Sequence, residues 1–296
     1  MAVLVSGATS QIGRFLLPRL VAAGVPVIAV SRQPQSAQPG VQWLQGSLPQ
    51  ALQQLPAQAL DAIVSFSPLM DWADWLGRQY SAPARLIVAT SSMSALSKQH
   101  SAQPEEQALA ASLQAGEQRV MEHARRLDMQ CTIFRPTLIY GAGIDRSLAP
   151  IVAAARRRRL FPIPMGRGLR QPVHADDIAR AVIQVLNGSA PQGGLFQIGG
   201  GERLNYRQMF QRVRASMGQR TAPVYLPVGA LRALAALVPS MRGPVSRLDE
   251  DLIADNTQLE RQLRIRPRPF QPSCDCWQPM DEAMARERIA RAPDGH

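Results

Sequence analysis

The chain has 296 residues, of which 46% are hydrophobic and 19% charged. That is enough apolar side chain to close a full-size core, so dominant disorder is excluded and folding requires neither disulfides nor a structural metal. The formal charge of +11 raises nucleic acid as a partner, but the basic residues are dispersed: only Lys98 is a lysine, and the one dense run is Arg156 to Arg159. Aromatics make up 5% of the chain and do not alternate with the basic residues, so a stacking groove for single strands is not expected. Small phosphate-bearing ligands are favoured over nucleic acid. The longest uncharged apolar runs, such as Val25 to Val30, are too short to span a bilayer, and Met1 leads directly into a strand-like segment. Three cysteines, Cys131, Cys274 and Cys276, fit a reducing compartment. The expectation is a soluble, cytoplasmic protein without a membrane partner.

Residues 2 to 6 are an apolar run ended by Gly7, and Ile12 to Ala23 follows with Ile12, Leu16 and Leu20 at helical spacing before Gly24. Val25 to Val30, Val41 to Leu44, Asp61 to Phe66, Leu86 to Thr90 and Cys131 to Phe134 read as further strands, the last entered from a helix over Pro104 to Leu127. Short, continuously apolar strands separated by helical or loop stretches predict an α/β fold: a Rossmann-like, doubly wound parallel sheet with helices on both faces. Beyond Gly143 the alternation loosens. A helix over Ser147 to Arg159, a Pro/Gly-rich stretch from Phe161 to Gly168, a strand and helix from Val173 to Leu186, and a strand at Leu195 to Ile198 follow. The rest reads as mostly helical, broken at Pro223, Pro227, Pro239 and Pro267. The expected division is a dinucleotide-binding domain over 1–146 plus about 171–199, and a smaller, mostly helical C-terminal substrate lid over 147–170 plus 200–296.

Gly7-Ala8-Thr9-Ser10-Gln11-Ile12-Gly13 lies between the first strand and the first helix, where backbone N–H groups and the positive helix end can meet a pyrophosphate. Gly7 permits the turn and Gly13 permits close packing of helix on strand. Ser10 stands where a middle glycine is expected, and its hydroxyl could add a donor. At the end of the second strand, Ser31-Arg32 replaces the carboxylate that an NAD site would place on the ribose 2′-hydroxyl. Arg32, with Arg14 as a second cation, suits a 2′-phosphate, so NADP(H) is favoured over NAD(H).

With this turn, Leu86-Ile87-Val88-Ala89-Thr90-Ser91-Ser92, Arg135-Pro136-Thr137-Leu138-Ile139-Tyr140-Gly141 and Arg170-Gln171-Pro172-Val173-His174-Ala175-Asp176-Asp177 resemble the extended short-chain dehydrogenase/reductase superfamily, in its NAD-dependent epimerase/dehydratase group. The resemblance covers most of residues 2 to 200, and Arg266-Pro267-Arg268-Pro269-Phe270 is similar to the closing segment of sugar-nucleotide epimerase-like members. It implies that Ser91 hydrogen-bonds the reacting oxygen of the substrate, that Pro136, Thr137 and Leu138 line the nicotinamide, and that Arg170 grips a nucleotide-sugar pyrophosphate. His174 is then structural, and Asp176 or Asp177 a helix cap. The family's Tyr-x-x-x-Lys pair, which transfers the proton and holds the ribose, is missing: alignment through Ala115-Gly116-Glu117-Gln118 puts Leu109 and Leu113 in those places. Lys98 and Tyr140 are the nearest substitutes, Tyr140 on the substrate side.

Arg156 to Arg159 reads as a solvated helix end in preference to a substrate-phosphate contact. Cys274-x-Cys276 is too closely spaced for a zinc site, and Val228 to Val238 reads as a packed lid helix. Two functions follow. One is an NADP(H)-dependent oxidoreductase or epimerase acting on a nucleotide-sugar-like or other polar carbonyl or carbinol substrate with nonstandard proton transfer, in a chain that could form a homodimer. The other is a dinucleotide-binding sensor or accessory protein without turnover, with Leu109 and Leu113 packed against the cofactor.

Overall fold

The computed structural model describes residues 2–55, 60–188, 193–238, 241–280, 284, 285 and 287. The first half of the chain runs β1 (Ala2–Ser6), α1 (Gly13–Ala22), β2 (Val27–Ser31), β3 (Val41–Gln45), β4 (Leu60–Ser65), α2 (Leu69–Gly77), β5 (Ala84–Thr90), α3 (Ser94–Ser97), α4 (Pro104–Arg126) and β6 (Gln130–Pro136). It continues with β7 (Ile139–Tyr140), α5 (Ala149–Arg158), β8 (Leu160–Pro164), β9 (Leu169–Arg170), β10 (Val173–His174), α6 (Ala175–Leu186) and β11 (Gly194–Ile198). The remaining elements are β12 (Leu204–Asn205), α7 (Tyr206–Ala215), β13 (Ala222–Leu226), α8 (Val228–Leu237), α9 (Arg242–Ser246) and α10 (Thr257–Leu263).

Seven strands form one parallel sheet in the order β11-β6-β5-β4-β1-β2-β3. Successive side chains of a strand face opposite ways, so Val3 and Val5 of β1 pack with Phe15, Leu16, Ile178 and Val182 on the face covered by α1 and α6. Leu4 packs with Ile28, Ile63, Trp72 and Val120 on the face covered by α2 and α4. Both faces are covered, which is why the strands read as continuous apolar runs. The connection reverses direction between β1 and β4, and the crevice outside the carboxyl ends of these strands is where such sheets bind ligands.

Two pairings tie the quoted sequence motifs to this frame. Glu117 of α4, buried, accepts from Arg135 of β6 at 2.8 Å, fixing the long helix to the strand that carries the next motif. Asp176 accepts from Arg19 of α1 and from Arg268, and Asp177 from Arg268, each within 3.0 Å, so the closing segment is clamped to the start of α6. The helix cap is not one of these aspartates. His174 Nδ1 accepts from the Asp176 N–H at 3.1 Å, which leaves both carboxylates for the arginines.

The second half departs from the helical expectation. Leu160 to Pro164, inside and beside the stretch read as a Pro/Gly-rich loop, is strand β8, paired in parallel with β13. Phe161 and Ile163 alternate into a core with Leu148, Val152, Phe210, Val213, Phe270 and Trp277, and this two-residue period outweighs the prolines, which a two-stranded edge tolerates. α2 also has no counterpart in the sequence reading. In α8 only Leu231 and Ala235 are buried, while Leu237 is 81% exposed, so the stretch packs along one stripe and not throughout. Pro239 and residues 281–283 and 288–296 of the expected lid lie outside the described residues. Among the described residues no helix is long and apolar enough to cross a membrane.

Candidate active site

The turn after β1 is held by its own backbone and side chains. Gly7 adopts φ +67°, and a Cβ there would touch Phe66 at 3.0 Å. At Gly13 a Cβ would sit 2.2 Å from the Ala8 carbonyl oxygen, so only glycine lets α1 start this close to the turn. The Ser10 N–H donates to Gly7 O at 2.9 Å, and Ser10 Oγ accepts from the Gly13 N–H at 3.2 Å. The serine at the middle position therefore closes the turn from within, and its hydroxyl hydrogen remains as a donor.

From this turn a cleft of about 1390 Å³ extends along the carboxyl ends of the strands, larger than the ~300–1,000 Å³ usual for one small ligand. At one end lie Ser31, Arg32, Ser47 and Leu48; at the centre Gly7, Thr9, Ser10, Gln11, Ile12, Ser91, Pro136, Thr137 and Leu138; at the far end Arg170, Tyr206, Phe210 and Arg247. Gln11 Oε1 and Ser91 Oγ are buried in its wall without a hydrogen-bond partner, which suits atoms that meet a ligand. Ser91 is placed by its N–H donating to Phe134 O at 2.7 Å, and Thr137 by its N–H donating to Ile198 O at 3.1 Å and its hydroxyl to Gln171 O. Arg32 makes no ion pair among the described residues. The dinucleotide-sized groove, the glycine cradle and the orphaned oxygens fit a nicotinamide dinucleotide with a second ligand beside it.

Three sequence candidates do not reach the cleft wall. Gly13 lies behind the turn, where its role is packing. Arg14 is not a second cation for a 2′-phosphate: its guanidinium donates to the Met280 carbonyl and to Thr9 O, drawn there by the C-terminal segment that crosses α1. Tyr140 is 1% exposed, with ring contacts to His174 at 5.0 Å and Phe270 at 4.8 Å, and burial pushes its phenol far above the ordinary value. It is a core residue and cannot serve as the missing acid. Arg170 does line the cleft, but four of its N–H groups donate to Leu169 O, Glu250 O, Arg247 O and the Tyr206 hydroxyl at 2.6–2.7 Å. It fastens the segment over residues 247–250 as well as charging the site.

Leu109 and Leu113 lie on α4, and no residue of α4 lines the cleft. The short helix α3 packs against α4, with Gln114 donating to Ala95 O, and the wall at that level is Met93, Ser94, Ser97 and Lys98. Leu109 is 44% exposed, so it is not packed against a cofactor. The sequence reading placed Lys98 in a loop before α4. Here its Nζ lies 3.3 Å from Glu106 Oε1, and burial, then Arg247, lowers its pKa. Ser97, Tyr206 and Arg247 were not legible in the sequence, because they come from segments far apart in the chain.

Residues 74–199 match the NAD dependent epimerase/dehydratase family. Among solved structures the chain is similar to MoeE5 in complex with UDP-glucose and NAD, at 17% identity, covering 99% of this chain and 100% of that one with a TM-score of 0.70. UDP-glucuronic acid 4-epimerase from Bacillus cereus, in complex with UDP-glucuronic acid and NAD, matches at 14% identity over 97% and 100%, with a TM-score of 0.70. UDP-glucose 4-epimerase from Thermotoga maritima matches at 16% identity over 98% and 99%, with a TM-score of 0.68. No curated protein matches the chain by sequence. At these identities the structural likeness establishes the fold.

Proposed function

We propose that the protein is an NADP(H)-dependent oxidoreductase or epimerase whose substrate is a nucleotide-sugar-like or other polar carbonyl or carbinol compound. The observation that carries this reading is one continuous cleft joining the glycine turn, Arg32 and the unpartnered Ser91 hydroxyl to a far end charged by Arg170 and Arg247. The bound nucleotide-sugar and NAD of the structural neighbours support the two ligand classes. A bound nicotinamide dinucleotide would exchange hydride at C4 of its ring. The residues of this chain do the rest: the turn amides and α1 hold the diphosphate, Arg32 takes a 2′-phosphate, Pro136 to Leu138 flank the nicotinamide, and Ser91 orients the reacting oxygen. Proton transfer is nonstandard. With Tyr140 in the core and Leu109 and Leu113 off the wall, Lys98 is the ionisable side chain of the α3 wall and the candidate to hold or supply the proton.

The test is calorimetric titration with NADPH and NADH of the wild type and Arg32→Ala. Both cofactors bind, NADPH tighter, and the substitution weakens NADPH by about 10–100-fold, the loss of one charge-assisted hydrogen bond, while NADH changes little. Tighter NADH binding would overturn the NADP(H) preference, and binding of neither would overturn the reading as a whole. The missing pair of ionisable side chains on α4 favours a second reading, a dinucleotide-binding sensor. Stable NADPH binding with no oxidation across a panel of carbonyl compounds and oxidised nucleotide sugars would select it.

A further inference from the structure

A second groove shares no residue with the cleft. It lies between the carboxyl end of α5 and the loop after α7, and Arg159, Arg214, Arg220, Gly218 and Thr221 line it. Thr221 is 6% exposed and its Oγ1 has no hydrogen-bond partner, while Arg214 donates to the Thr221 carbonyl at 2.9 Å and so fixes the loop. Arg157, Arg158, Arg159 and Arg220 are exposed, and none of them is in an ion pair among the described residues. The charge is one-sided over a long distance in sequence. No acidic residue occurs over 146–175, which carries seven arginines, or over 203–248, which carries eight.

An apolar surface continues from this basic one. Leu160 is 51% exposed and pairs with Ala222 at the start of β13, whose N–H donates to Arg159 O at 2.8 Å. In parallel register with Leu160 and Pro162, Ala222 and Val224 of β13 project to the side of the sheet opposite the buried Phe161 and Ile163, and Val224 is 36% exposed there, while Tyr225 projects to the other side, beneath Arg207. Unpaired arginines set against exposed aliphatic side chains match the interface of an anionic bilayer, with guanidinium groups among headgroup phosphates and apolar side chains at the acyl boundary. A nucleic acid would engage the arginines but gives Leu160 and Val224 nothing to bury against.

We propose that the β8–β13 face, with the Arg159/Arg214/Arg220 groove taking a headgroup phosphate, docks the protein peripherally on an anionic phospholipid surface. Composition gives no reason to expect a membrane partner; the placement of these side chains does. The groove shares no lining residue with the cleft, and the proposal does not depend on what the cleft binds.

The experiment is co-sedimentation of the full chain with phosphatidylcholine vesicles, with and without about one-third phosphatidylglycerol, at low and moderate salt. The expected result is binding to the anionic vesicles only, weakened by salt. Arg158→Glu/Arg220→Glu lowers the partition coefficient at least tenfold, and Leu160→Ser/Val224→Ser lowers it at both salt concentrations. Thermal melting and NADPH titration of each variant confirm that the fold is retained. Equal binding to neutral vesicles, no binding to either, or random duplex DNA outcompeting the anionic vesicles would overturn the proposal. Inorganic phosphate protecting the groove without any vesicle binding would overturn it as well, reducing the groove to a free-phosphate site.

Discussion

Gly13→Ala tests the turn on which the cofactor assignment rests. The added methyl would lie 2.2 Å from the Ala8 carbonyl oxygen, 2.5 Å from its carbon and 2.6 Å from Gly7 O, all backbone atoms that cannot swing aside. Relieving the overlap requires α1 and the turn to separate by about 1 Å, at a cost of roughly 1–3 kcal/mol in a close-packed interior. A shift of that size takes turn amides out of hydrogen-bonding range of a diphosphate, and losing one or two charge-assisted bonds of about 1.5–3 kcal/mol weakens binding by about 10³-fold, with a tenfold minimum. Gly24→Ala is the control. It lies at the other end of α1, at φ +70° with nothing within 4 Å, so it costs about 1–2 kcal/mol through left-handed strain but leaves the turn in place. The assay is titration with NADPH and NADH alongside thermal melting. Both variants melt lower, and only Gly13→Ala loses cofactor affinity. Unchanged affinity in Gly13→Ala, or equal losses in both variants, would refute the argument.

Two further outcomes follow from the clamp and from the thiols. Arg268→Met leaves Asp177 buried without its cation, while Asp176 keeps Arg19, and should destabilise the protein by about 2–4 kcal/mol, less than a fully buried pair because Arg268 is partly exposed. Burial raises Asp177 even with Arg268 only partly offsetting it, and removing the arginine raises it further. A raised folded pKa favours the protonated carboxyl, so the deficit of the variant is small below the unfolded value near 3.8 and grows as pH rises through the folded value. Urea midpoints between pH 4 and 8 check this, and a pH-independent deficit would contradict it. Burial pushes the Cys131 thiol up to about 12, so at pH 8 its thiolate is about a thousandfold scarcer than that of an ordinary cysteine. Mass-spectrometric mapping of iodoacetamide adducts on the native protein should find Cys131 unmodified, and its rapid labelling would show that β6 is more open than described.

The parallel sheet was legible in the sequence because its central strands, β1 and β2 above all, are buried on both faces and read as uninterrupted apolar runs, while the edge strand β3 was marked by Val41, Trp43 and Leu44 although Gln42 and Gln45 are exposed; the seven runs noted are the seven strands observed. The glycine turn was equally plain, since its residues are consecutive. β8 was hidden by its prolines, which a local rule counts as breaks although Phe161 and Ile163 alternate into a core supplied mainly by later residues such as Phe210 and Phe270. The roles of individual cations were less legible still. Arg14 follows the glycine turn and Arg32 follows β2, and the sequence reading gave both the same role, yet Arg14 turns away to the Met280 carbonyl and Arg32 lines the cleft.

Local order in the chain thus determined the class of fold, the glycine turn and the lack of ionisable side chains at positions 109 and 113, because each depends on residue types at fixed short spacings. Tertiary structure decided which side chains face the cleft. It buried Tyr140 among the rings of His174, Phe270 and Trp277, set α3 between α4 and the ligand space, brought Lys98 to the wall, and gathered arginines from separate segments around one outer groove. Those outcomes depend on packing between segments that are separate in the chain, from Ala95 against Gln114 to Tyr140 against Phe270, and no spacing rule along it contains them.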